Sequence, residues 1–139
     1  MRHNHIAIWV TALLQVALGF LWYSPLAFLE PWAYGFGLDL TVMGEPDPVA
    51  LIVVVLGAVV NCYVVSWLIR RMAITGVGGA VWLALWLWLG LGLPWLMPHY
   101  LFAKVGNSAL IVDAAQLLVA TSMTCLILAL WRRKPRTIA

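Results

Sequence analysis

Residues 49–69 read VALIVVVLGAVVNCYVVSWLI, and the next two residues are Arg70 and Arg71. No charge interrupts the run. At 1.5 Å per residue, a helix of this length covers the roughly 30 Å hydrocarbon core of a bilayer. Its apolar side chains fall on every face, whereas a strand of a membrane barrel alternates polarity over about ten residues. In lipid a helix also satisfies its own backbone hydrogen bonds. The stretch is therefore read as a transmembrane helix, ended by an arginine pair.

Three more runs have the same character, at 6–29, 77–97 and 108–131. The chain has 139 residues, of which 65% are hydrophobic and 9% charged, and its mean hydropathy is +1.00. Soluble domains carry about 25% charged residues, and one of this size cannot hide so much apolar surface. The fold class expected is an all-α membrane protein: one domain, four transmembrane helices packed as an antiparallel bundle, and an outer loop over 30–48. Within that loop a short surface helix is expected, with Trp32, Tyr34 and Phe36 as interface anchors. Arg2 before the first run resembles the start of a signal peptide, but the run is longer than a typical apolar signal core and no A-x-A-like site follows it.

Lysines and arginines orient the bundle. Arg70 and Arg71 lie between runs two and three, and Arg132, Arg133, Lys134 and Arg136 follow run four. The loop between runs one and two holds Glu30, Asp39, Glu45 and Asp47 without a basic residue. Both termini are thus expected in the cytoplasm, with the acidic loop outside. The net charge of +3 comes from residues that flank apolar runs, the placement of topology signals and lipid contacts, so no nucleic-acid partner is expected. Six of the seven prolines (Pro25, Pro31, Pro46, Pro48, Pro94, Pro98) collect at the outer ends, which are expected to be irregular because proline removes a backbone donor.

The segment Gly19-Phe20-Leu21-Trp22-Tyr23-Ser24-Pro25, followed by Phe28 and Trp32, resembles the signature that closes helix one in the DUF1761 family of small bacterial integral membrane proteins. Trp88-Leu89-Gly90 and a fourth helix ending in Trp131 are similar to its second block. The resemblance covers nearly the whole chain. It implies the four-helix architecture and a place in a bacterial inner membrane, and no activity, since the family is one of unknown function.

Asp113 is the only acidic residue inside an apolar run, and ionisable groups within spans are costly enough to mark function. It lies about 7–8 Å below the outer boundary, counting from Ser108, and Gln116 follows at i+3 on the same face. With Trp22, Tyr23 and Ser24 of helix one, and Trp95 and His99 of helix three, these residues form a candidate outward-facing ligand or ion site. The structural alternative is an interfacial or capping carboxylate, paired with Lys104 or a tyrosine hydroxyl. Gln15 and Asn61 fall at matching depth on antiparallel helices and are expected to share an interhelical hydrogen bond. Gly76, Ala80 and Ala84 form a small-residue stripe for close helix packing, within the chain or between copies.

No catalytic set is legible: there is no Ser/His/Asp constellation, no phosphate loop and no paired carboxylates. Cys62 and Cys125 sit in apolar runs as small core residues, with no CxxC. His3, His5 and His99 cannot pair as haem ligands at membrane depth, and Met97 with His99 makes a poor copper site. No metal or cofactor is expected. Three functions remain: an accessory or scaffold subunit on a larger membrane complex, a homo-oligomeric transporter or channel using Asp113, and a binder of a lipid or quinone-like amphiphile in an outer aromatic pocket.

Overall fold

A computed structural model of the chain describes residues 3–131. Arg2 and the basic tail with Arg132, Arg133, Lys134 and Arg136 lie outside them. Six α-helices follow one another: α1 (His5–Trp22), α2 (Leu29–Phe36), α3 (Pro48–Arg71), α4 (Gly76–Leu87), α5 (Leu93–Phe102) and α6 (Asn107–Leu130). A π-helical turn, Trp88–Gly92, joins α4 to α5 without a break. Four helices are long and apolar enough to cross a membrane: α1, α3, the α4–α5 unit and α6. At most 22% of the apolar window in each is buried, so apolar residues such as Trp9, Ile52, Trp67 and Trp82 face outward. Burial inside the chain alone does not stabilise such a surface; a hydrocarbon solvent suits it.

The ends of the helices follow local chemistry. α1 stops at Trp22 rather than continuing through 29, because Pro25 lacks the amide hydrogen the next turn needs. Ser24 Oγ donates to the Leu21 carbonyl at 2.7 Å, and the chain turns before α2. The helix expected within 30–48 therefore begins at Leu29 and closes on Gly37, whose φ of 66° suits glycine. Asp47 caps α3 by accepting from the Val49 amide at 2.9 Å, with Pro48 in the first turn. The third candidate span extends to Phe102 instead of ending at 97. Pro94 deprives the preceding turn of a donor, and the π turn accommodates the loss without ending the helix, as π-bulges do.

α6 is the hub, packing on α1, α2, α3, α4 and α5. Small side chains make close packing possible: Ala7, Ala12, Cys62, Ala80, Ala84, Cys125 and Ala129 are all buried. Both cysteines are free. Ala80 and Ala84 of the small-residue stripe are fully buried, in a chain where α4 packs on α6. Gly76 is exposed and starts the helix at a φ of 74°. Thr11 and Thr124 are buried too, and each hydroxyl donates to the carbonyl one turn earlier, at 2.6 Å and 2.8 Å.

The first and last described residues meet at one end of the bundle, where Asn4 Nδ2 donates to the Trp131 carbonyl at 3.1 Å. The end of α3 joins them there through His3, Ser66 and Arg70. α2 and the start of α6 lie at the opposite end. The candidate site belongs to that half of the molecule.

Candidate functional site

Three consecutive residues of α6 accept hydrogen bonds from five aromatic side chains. Trp22 Nε1 donates to the Val112 carbonyl at 3.2 Å, and Trp88 Nε1 to the Ala114 carbonyl at 2.8 Å. Between them stands Asp113. Tyr23 donates to its Oδ1 at 2.5 Å, Trp32 Nε1 to its Oδ2 at 3.3 Å, and the Tyr100 hydroxyl also to Oδ2. The donors come from the cap of α1, from α2, from the π turn and from α5. Each of these segments is thereby fastened to one turn of α6.

Six of the nine tryptophans are substantially exposed: Trp9, Trp67, Trp82, Trp86, Trp95 and Trp131. The other three are Trp22, Trp32 and Trp88, the ones that donate to residues 112–114. A buried indole N–H needs an acceptor, and in an apolar helix only carbonyls and a rare carboxylate supply one. Ring contacts extend the arrangement from Tyr23 to Trp32, on to Phe36 and then to Tyr100, with centroids 5.0–5.7 Å apart. Asp113 lies six residues into α6, roughly 9 Å along its axis.

α2 reaches this position through two glycines. A Cβ on Gly35 would lie 2.5 Å from Ala109 Cβ, and one on Gly106 would lie 3.0 Å from Gly35 Cα. The Gly106 amide donates to the Gly35 carbonyl at 2.7 Å. On the far side, a Cβ on Gly92 would meet Leu117 Cδ2 at 2.5 Å. Glycine is required at Gly35 and Gly106 because backbone meets backbone there, whereas at Gly92 the neighbour is the flexible end of Leu117.

Of the residues read as a candidate site, Asp113, Trp22 and Tyr23 come together at α6. Ser24 stays in its own turn. Trp95 and His99 are exposed and border a separate crevice with Pro94, Pro98, Phe102 and Ala103. Tyr100 and Trp88 join the cluster although the sequence did not single them out for it. Their signal was a general one: a carboxylate within an apolar helix needs donors, and the hydroxyls and indoles of nearby segments are the available supply. Trp32 belongs here rather than at an interface, while Tyr34 remains 83% exposed.

Gln116 lies elsewhere, on the wall of a cavity of about 580 Å³ between α1, α3 and α6. Gln15 and Asn61 line the same space, with Tyr23 at its edge and Pro46 from the loop before α3. Gln15 Nε2 donates to Asn61 Oδ1 at 3.1 Å and to Thr124 Oγ1 at 2.7 Å. The remaining wall is almost wholly apolar, and no charged side chain contributes to it. Gly19 and Gly57 lie on facing helices, and a Cβ on either would meet nothing within 4 Å. The cavity has this width partly because those two positions carry no side chain.

Among the described residues, no three His, Cys, Asp or Glu side chains are grouped to hold a metal ion. No curated protein and no solved structure matches the chain. The family model described as "Protein of unknown function (DUF1761)" matches residues 6–129, and the chain belongs to that family.

Proposed function

We propose that this protein is a multi-pass protein of a bacterial inner membrane that holds a small amphiphile in the cleft between α1, α3 and α6. The observation that carries this reading is the cavity of about 580 Å³, within the roughly 300–1,000 Å³ range of small-molecule sites. Its walls are apolar with a few polar groups, the usual composition of a ligand pocket. Phe20, Val54 and Asn61 on its lining are exposed, so the space opens on the flank of the bundle, where an amphiphile enters from the bilayer. This moves the ligand pocket from the aromatic cluster around Asp113 to the neighbouring cleft. Asp113 acts as the fastening point for the segments that frame it.

The test is mass spectrometry of the protein after mild extraction. An amphiphile retained at about one per chain, and lost in Gly57→Leu, is the expected result. Gly57→Leu puts a side chain into the cleft from a position where a Cβ meets nothing within 4 Å. Retention unchanged in that variant, or a chain that carries no amphiphile, would count against the reading.

A second reading is an accessory subunit packed laterally on a larger membrane complex, or on copies of itself. Trp82 and Trp86 favour it, because they stack edge to face at 5.9 Å on the outward side of α4. The same extraction would then recover a larger assembly that Trp82→Leu disperses. Transport through Asp113 draws the least support, since both carboxylate oxygens already accept hydrogen bonds from aromatic groups.

A further inference from the structure

Hydrogen-bond accounting at the floor of the cleft specifies the chemistry of its occupant. Thr124 donates its hydroxyl hydrogen to the Ala120 carbonyl, so its oxygen must accept from Gln15. The second Nε2 hydrogen of Gln15 goes to Asn61 Oδ1. Both nitrogen hydrogens of Gln15 are thereby used, and Asn61 keeps its two Nδ2 hydrogens. Among the described residues these hydrogens have no protein acceptor, and the Gln116 amide has no hydrogen-bond partner. Asn61 is exposed near the middle of α3, the most apolar of the four spans.

Amide donors at that depth are poorly matched by an acyl chain, which offers no acceptor. A phospholipid keeps its charged head at the interface and fills the cleft with hydrocarbon. A glyceride head is held near the interface by its hydrated hydroxyls. The lining has no Lys, Arg, Asp or Glu to balance a charged group. The occupant that suits the site brings weakly hydrated carbonyl oxygens to mid-depth and carries no charge.

Resting on the amphiphile reading above, we propose that the cleft binds a quinone-type lipid, its ring carbonyls accepting from Asn61 Nδ2 and Gln116 Nε2. The apolar wall of Phe20, Leu51 and Val54 faces the hydrocarbon part. A second copy of the chain is a poorer match for these donors, because they line a concave wall shared by three helices.

Native mass spectrometry of the full chain in detergent, titrated with a decyl-substituted benzoquinone or with phosphatidylglycerol, tests the assignment. The expected result is a saturable one-to-one benzoquinone adduct. Asn61→Leu and Gln116→Leu each weaken it at least about tenfold, a loss on the scale of one hydrogen bond, and Trp82→Leu leaves it unchanged. Gln116→Leu removes no protein hydrogen bond and keeps a side chain of similar size, so it tests the assignment even if Asn61→Leu disturbs α1 and α3. Preferential retention of phosphatidylglycerol, indifferent to both amides, would overturn the quinone assignment and leave the amphiphile reading standing. No adduct with either lipid would overturn both. An Asn61→Leu change that alters oligomeric mass but not benzoquinone affinity would assign the amide to a copy of the chain.

Discussion

The Tyr23 hydroxyl lies 2.5 Å from Asp113 Oδ1, joining the cap of α1 to the second turn of α6 across ninety positions of sequence. Tyr100 and Trp32 reach the other carboxylate oxygen from α5 and α2. One side chain therefore closes two long loops of chain and one short one at once. A carboxylate in an apolar helix is costly when isolated, and three converging donors offset that cost.

It follows that Asp113→Asn should destabilise the fold more than it alters any ligand binding. The amide would keep one acceptor oxygen and turn an N–H toward groups that themselves donate. A loss of about 1–3 kcal/mol is expected, as for a buried group left without its partner. Tyr23→Phe and Tyr100→Phe should each cost less. Combined with Asp113→Leu they should cost almost nothing further, since the acceptor is already gone. Unfolding in detergent, followed as a double-mutant cycle, reads these differences. Additive losses would show that the tyrosines act independently of Asp113.

Gly35 provides a separate handle on the same cluster. Gly35→Ala places a Cβ 2.5 Å from both the Ala109 backbone nitrogen and its Cβ, and backbone cannot step aside as a flexible side chain can. Overpacking of this kind costs about 1–3 kcal/mol. The expected consequence is that α2 lifts from α6 and Trp32 becomes accessible. Collisional quenching of tryptophan fluorescence should therefore rise in Gly35→Ala. Gly44→Ala, at an open position in the loop before α3, serves as the control and should behave as wild type.

The four long apolar helices were legible in the sequence because length and apolar composition mark a candidate span, and residues 49–69 display both openly. The Gln15–Asn61 hydrogen bond was legible too, since antiparallel helices fix relative depth. What one sequence could not give was the rotation of each helix. Trp95 and His99 lie four residues apart and share a face, but composition does not reveal that the face turns outward. Tyr100, one residue beyond His99, turns inward and is buried. The docking of α2 was equally hidden, because it depends on Gly35 and Gly106 meeting across the fold. Neither glycine announces its partner.

The basic and acidic segments predict the side of the membrane on which each end lies. A reporter active only in the cytoplasm should give signal when fused after the last residue and none when inserted beside Asp39. The meeting of Asn4 with Trp131 requires the start of α1 and the end of α6 to share a side, so the two termini should report alike. Signal at Asp39 would invert the bundle. The cleft would keep its geometry, but Gln116 would then lie toward the cytoplasm.

At the opposite end, His3 gives the fold a pH dependence whose sign can be worked out. Its Nδ1 is 3.1 Å from Ser66 Oγ, and its Nε2 meets the Arg70 guanidinium. Guanidinium only donates, so Nε2 accepts and Nδ1–H donates to Ser66, which requires a neutral ring. Burial, then Arg70, then His5 hold its pKa below the ordinary 6.5. The groups around the ring are His5 of α1 together with Tyr63, Ser66 and Arg70 of α3. Between the folded value and 6.5 the unfolded chain binds more protons, so stability rises with pH in that window. The contribution is complete above about 6.5 and is lost as pH falls through the folded value. The thermal midpoint in detergent should therefore drop as pH is lowered from about 8 to about 5. His3→Gln keeps a donor for Ser66 and an acceptor for Arg70 without titrating, so its midpoint should vary less over the same range. Equal slopes in the two proteins would assign the pH dependence to other groups.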